Sequence, residues 1–412
     1  MTAEKPHDST PILNRLEPMP PSTRSSGSRR LFSFWLILLF ALVMVSAIWH
    51  PPLLRSFFGW VFVRLAPALA LPSTLSGLLG FGLGFAAANL AAVAVHELGH
   101  VLAGVAAGFR FSSLRVGRLE IHRGFRLARY RGSGAGSGGW LGGWANLVPI
   151  WSESLRWRAL IMIAAGPAAN LLSALAVGLA PLAMGTFSGF FLIFSAILGL
   201  GNLVPMRNRA VLSDGRRILM LLRNRELGER WLALMRLLAE IVEGVPSEAL
   251  PADFVAKAIA VRDNSPDTVT AHSIAYSAAF WRHQDAEAAR CLETCLRYSS
   301  FTAPPVREAL MSDAAVFQAR RRGDPGLASQ WLAAMPEKTE FPGLRLRAEA
   351  AILEAKGEMA SALRKLDECG QALLRVPNPT QREMALRFLN RWRSELEARP
   401  GSPSTGVGPA EA

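Results

Sequence analysis

The stretch AAVAVHELGHVLAG, Ala91 to Gly104, sets one carboxylate and two imidazoles inside an oily run. Leu65 to Val95, just before them, contains no Asp, Glu, Lys or Arg. A carboxylate in such surroundings is costly unless something compensates it. His96 and His100 are four residues apart, so on a helix they share one face, with Glu97 beside them. A buried polar cluster packing one helix on another would explain them structurally. Ionisable residues inside a membrane span are usually functional, however, and this spacing is specific.

The surrounding sequence decides that these residues belong to a membrane span. Leu31 to Trp49 and Ala159 to Met206 also lack charged residues. A helix crosses a bilayer with roughly 20 apolar residues, and the second run is long enough to cross twice. Spans are expected at 31–49, 80–108, 159–180 and 188–205, the long run being broken by Pro181, Gly185, Ser188 and Gly189. The segment 53–72 is ambiguous: Arg64 near its middle would cost about 2.5–3.5 kcal/mol, so it reads as interfacial. If it spans, the N-terminus changes side. A signal peptide competes with an uncleaved anchor for 31–49, but its apolar core would be long and no A-x-A site follows.

Charge orients the chain. The net charge of +13 does not point to nucleic acid, because residues 110–158 alone carry nine Arg against two Glu. That is the positive-inside signature of a cytosolic loop. The chain is expected in the inner (cytoplasmic) membrane, multi-pass, with its C-terminal half cytosolic. That half, from Arg216 on, has the composition of a soluble helical protein and holds all three cysteines, in no common zinc spacing. The HELGH helix, the start of the third span and the end of the fourth then lie at similar depth near the cytosol.

His96-Glu97-x-x-His100 is an H-E-x-x-H arrangement: two zinc ligands and a general base. A catalytic zinc takes three protein ligands. The soluble pattern H-E-x-x-H-x-x-G-x-x-H fails, since Ala103 and Ala106 stand where Gly and His are needed. Glu120 is at a suitable distance in sequence but sits in an alternating, strand-like stretch. Asp214, in GNLVPMRNRAVLSDG, follows the fourth span and can return to the depth of the histidines. An ordinary turn Asp before Gly is the plain alternative.

Three elements in order resemble the site-2 protease family of intramembrane zinc metalloproteases: HELGH at 96–100, GPAAN at Gly166 to Asn170, and NLVP…SDG from Asn202 to Gly215. The resemblance covers about residues 80–220. It implies Zn2+ held by His96, His100 and Asp214, Glu97 as the base, and Asn170 and Asn202 as polar residues toward the substrate. The connection from Pro205 to Asp214 is longer than the family's shorter form, and no PDZ-like insertion fits between the third and fourth spans.

The expected fold class is an all-α polytopic membrane protein, about four transmembrane helices with a short β-hairpin loop, followed by a soluble α-helical repeat-like domain. The hairpin is expected over Leu114 to Arg131, turning at Arg123-Gly124. A strand edge there could bind an unwound substrate. The seven glycines between 132 and 143 suit a gate or an inert linker. Boundaries are expected at 1–30 (disordered), 31–215 (protease core), 216–262 (helical linker), 263–396 (tetratricopeptide-like) and 397–412 (disordered tail). Turns at Gln284-Asp285, Gly323-Asp324 and Gly357-Glu358, each before an Ala-rich helix, recur at about the 34-residue tetratricopeptide period; an irregular bundle is the alternative. The expected partners are a membrane-anchored protein substrate, the lipid bilayer and a cytosolic protein docking on 263–396. An inactive protease-like scaffold and a transporter are the competing functions; the intact His, Glu, His and Asp set disfavours the first, and the specificity of the H-E-x-x-H spacing the second.

Overall fold

The computed structural model describes residues 12–14, 63, 65–123, 126–129, 142–150, 153–180, 184–206, 212–376 and 379–399. The chain forms two compact units, Thr23–Gly228 and Met1–Ser22 with Glu229–Ala412.

In the first unit, α1 (Leu75–Ala106), α2 (Leu155–Leu179) and α3 (Thr186–Leu203) are each long and apolar enough to cross a membrane. They match three of the four expected spans. The fourth, 31–49, lies outside the described residues, as does most of 53–72. Helix α1 begins earlier than expected because Thr74 caps it, its Oγ1 accepting the Gly77 N–H at 3.2 Å. Close helix crossings rest on missing side chains: a Cβ on Gly99 would stand 2.6 Å from the Ala165 carbonyl oxygen. Small residues let membrane helices approach in this way. The outer faces carry Leu75, Leu79, Leu83, Leu172, Leu175 and Leu179, all more than half exposed. Such a continuous apolar surface is suited to lipid rather than water. Ala68, just before α1, packs at the start of α3, where a Cβ on Gly189 would meet its own at 2.2 Å.

Between α1 and α2 the expected hairpin is part of a larger element. Strands β1 (Phe109–Val116), β2 (Leu119–His122), β3 (Arg126–Arg129) and β4 (Gly143–Pro149) form an antiparallel sheet in the order β3-β2-β1-β4. The chain turns first at Gly117, with φ +61°, and β2 then pairs antiparallel with β3. After residues 130–141 it returns to lay β4 on the far side of β1, pairing Leu114 with Ala145. The Gly-rich tract, apart from Gly142 and Gly143, lies outside the described residues.

Helix α4 (Asp214–Arg223) closes this unit, and α5 (Arg225–Glu243) leads into the second. The division between the two units falls after Gly228, within the stretch 216–262 expected as a helical linker. The second unit continues with α6 (Ala252–Ile259), then pairs α7 (Pro266–Trp281) with α8 (Asp285–Tyr298), α9 (Pro304–Arg322) with α10 (Pro325–Ala334), and α11 (Leu344–Ala355) with α12 (Met359–Leu373), and ends with α13 (Pro379–Glu397). All three expected turns fall between the helices of a pair. Gly323 and Gly357 have φ of +63° and +80°, the left-handed conformation that ends a helix most cheaply with Gly. Buried Glu354 ties three elements, accepting from Arg320 Nε at 2.9 Å and Trp392 Nε1 at 2.8 Å and pairing with Arg399. Cys291, Cys295 and Cys369 are free and buried. Burial pushes the Cys291 and Cys369 thiols up to about 11, so they are inert packing groups. Within 1–30, Ile12–Asn14 form an ordered 3-10 turn of this unit. The chain stays ordered past 397, to Arg399, while 400–412 lie outside the described residues.

Candidate metal centre

The functional side chains meet where α1 ends, α2 begins, α3 ends and α4 begins. His96 and His100 stand on the last three turns of α1, facing α2 and α4. His96 Nε2 lies 3.2 Å from His100 Nε2 and 3.1 Å from Asp214 Oδ2; His100 Nε2 lies 3.5 Å from the same oxygen. Tetrahedral donors about 2.0–2.1 Å from a zinc ion sit roughly 3.3–3.4 Å apart. The three observed edges fit that size, so the group can hold a metal ion.

The histidines are oriented differently. The Met162 carbonyl can only accept, so His100 Nδ1–H donates to it, at 2.8 Å. In the neutral ring this leaves the Nε2 lone pair turned to the cluster, the outer hydrogen bond that metal-ligating histidines use. Gly166 makes room for this imidazole: a Cβ there would stand 2.3 Å from His100 Nε2. His96 packs edge to face on His100, and Asn202 Nδ2 lies 3.3 Å from its Nε2. His96 Nδ1 is buried without a hydrogen-bond partner among the described residues.

Asp214 is not in a turn. It is the first residue of α4, capped by Ser213, whose Oγ accepts the Arg216 N–H at 3.2 Å. The same hydroxyl donates to the Val204 carbonyl at 2.7 Å and accepts the Met206 N–H at 2.9 Å. Ser213 thus ties Val204 and Met206, at the start of the long connection, to its end beside Asp214. Gly215 allows the approach, since a Cβ there would sit 1.8 Å from the Leu203 carbonyl oxygen. Burial alone would push the Asp214 carboxyl up. With both rings protonated, hydrogen bonds and charge from His100 and His96 outweigh it and hold the carboxyl below the usual carboxylate range; a bound cation would take the place of those protons. The carboxyl is therefore ionised, the form that binds metal.

Glu97 is buried, and its carboxylate accepts the Ala145 N–H of β4. A Cβ on Gly143 would come within 2.8 Å of Glu97 Cγ, so the end of the Gly-rich tract makes space for the base. His96, Glu97, His100, Asn202 and Asp214 all line one cavity of about 450 Å³, together with β4 residues Gly143, Trp144, Ala145 and Leu147. Asn170 does not line it. It is fully buried on α2, with neither side-chain polar atom hydrogen-bonded among the described residues. Glu120 is buried on β2, 3.8 Å from His122, and is absent from the cavity lining. Asn89 and Arg217 line the cavity and were not anticipated. Asn89 Oδ1 is buried without a partner among the described residues. Its signal was available: an Asn in an uncharged run, seven residues and so two helical turns before His96. Searches of protein-family models, characterised proteins and solved structures returned no match to this chain.

Proposed function

We propose that the chain is an intramembrane zinc metalloendopeptidase that hydrolyses membrane-anchored proteins near the cytosolic face. The observation that carries this reading is the convergence of His96, His100 and Asp214 at tetrahedral spacing with Glu97 adjoining in one cavity. The mixed imidazole and carboxylate donor set suits zinc. A zinc ion bound there supplies a Lewis acid that polarises the scissile carbonyl and acidifies water. Glu97 takes the proton of the attacking water and delivers it to the departing amide nitrogen. The Ala145 N–H holds the carboxylate in place for both transfers.

A substrate helix keeps its backbone polar groups paired in lipid, so local unwinding exposes groups that need new partners. β4 is an edge strand that lines the cavity, and strand addition along it would supply them. Asn89 Oδ1 offers a buried acceptor nearby, and Asn202 reaches the cluster itself. The Arg-rich loop containing the sheet supports a cytosolic position for this end of the bundle. The helical second unit carries no comparable cluster among the described residues and is the docking surface for a cytosolic partner.

Purified protein is expected to hold about one zinc per chain, and the His96→Ala, His100→Ala double variant none. Membrane-anchored fragments should accumulate in cells carrying the double variant and not in wild type. Unchanged zinc content in the double variant would exclude this site.

A further inference from the structure

The second unit holds a peptide. Ile12–Asn14 are separated by about 280 residues of sequence from the helices that grip them, yet Leu13 is 1 % exposed and belongs to the unit's apolar core. The grip is on the backbone as much as the side chain. Glu293 on α8 accepts two successive N–H groups, Ile12 at 3.1 Å on Oε1 and Leu13 at 2.9 Å on Oε2. The Leu13 carbonyl accepts from Gln318 Nε2 on α9 at 2.7 Å and from Trp331 Nε1 on α10 at 3.4 Å. Arg322 donates to Asn14 Oδ1 at 2.7 Å. Gln318 and Trp331 are themselves essentially fully buried.

An amide and an indole N–H turned inward in a helical core are expensive unless partners arrive, and the partly exposed Glu293 carboxylate, which also pairs with Arg297 at 3.3 Å, adds its acceptors. Here each finds one on the same tripeptide. The two backbone groups of Leu13 are both satisfied, its side chain is buried, and the following Asn is read by a cation. That combination of main-chain capture with one buried apolar anchor is how peptide receptors bind short linear segments. A helix in the ordinary core would need none of it, because its backbone is already paired internally.

We propose that the site formed by Glu293, Gln318, Arg322 and Trp331 is a peptide-binding site for a short Leu-Asn segment, and that its resident ligand is the chain's own Ile12–Asn14. The occupant is a tethered ligand, so a free copy of the segment competes with it. This inference does not rest on the metal centre.

The test uses the full chain in detergent and a fluorescent peptide of residues 9–18, STPILNRLEP. A Leu13→Asp chain, its own ligand disabled, should bind the peptide saturably. Wild type should bind it at least about tenfold more weakly, because a tethered copy acts at high effective concentration. A peptide carrying the Leu13→Asp change should bind neither chain, and adding Glu293→Gln to the Leu13→Asp chain should weaken binding of the native peptide. A second form keeps every native contact: a protease site inserted after Ser22 lets the segment be cut free, and the labelled peptide should then replace it. Equal binding to wild type and Leu13→Asp chains would overturn the proposal. So would a cut, folded chain that takes up no peptide, or one that takes the native and altered peptides alike. Those outcomes would make the tripeptide a fixed part of the core.

Discussion

Glu97→Gln is expected to keep a wild-type metal content and lose cleavage by roughly 10²–10⁴-fold, the range that removal of a general base costs. Gln has nearly the same shape, so the space left by Gly143 and the contact to Ala145 remain usable. What disappears is the capacity to take a proton from water. Glu97 makes none of the three short edges among His96, His100 and Asp214, so its charge is not needed to hold the ion. Metal analysis and cleavage of an accumulated natural fragment, measured on the same preparation, check both halves. Cleavage at the wild-type rate would remove Glu97 from the chemistry, and loss of metal would make it a ligand.

Asp214→Ala should show the opposite metal result with the same loss of activity. The variant leaves two imidazoles and no anionic donor, and the ion's charge is then offset by nothing in direct contact. Outer hydrogen-bond partners of metal ligands are worth about 10–100-fold in affinity, and a ligand itself should be worth at least as much. The purified variant is therefore expected to lose its zinc on dialysis. Retention of zinc and activity would send the search for the third donor elsewhere. Glu97 is the other carboxylate lining the cavity among the described residues, so the pair of variants distinguishes the two assignments.

Much of this site was legible in the sequence because its parts are local. The spacing of His96 and His100 fixes a shared helix face by itself. Pro205 ends a span that must return to the same depth, which brings Asp214 within reach. The helix-pair turns at Gly323 and Gly357 were visible because a left-handed residue and an Ala-rich helix are adjacent in the chain. What stayed hidden depends on what distant residues place on top of one another. Nothing near Gly166 says that an imidazole rests on it, and nothing near Gly215 says that a carbonyl does. The hairpin proved to be half of a sheet because β4 joins β1 across the Gly-rich tract, where no periodicity links them. Asn170, expected toward the substrate from resemblance, is buried on α2 and is not among the residues that line the cavity. Ile12–Asn14 gave no signal at all: three residues among Pro, Ser and Arg have no period to read.

The captured tripeptide also imposes a parity. Asn14 and the helices from Glu229 onward belong to one folded body, so they lie on one face of any membrane between them. The number of crossings between those points must then be even. With α1, α2 and α3 taken as crossings there are three, and Ala68 sits beside Gly189 at the end of the bundle away from the histidines. If all three cross, an even count calls for one further crossing between Asn14 and α1. Of the two apolar runs there, Leu31 to Trp49 has no charge and 53–72 carries Arg64. The sequence expectation of an anchor at 31–49, with 53–72 interfacial because of its central Arg, would supply that crossing. Five hydrogen bonds in the second unit thus constrain how often the chain can cross before α1, and tags on the two termini are expected to be reached from the same side.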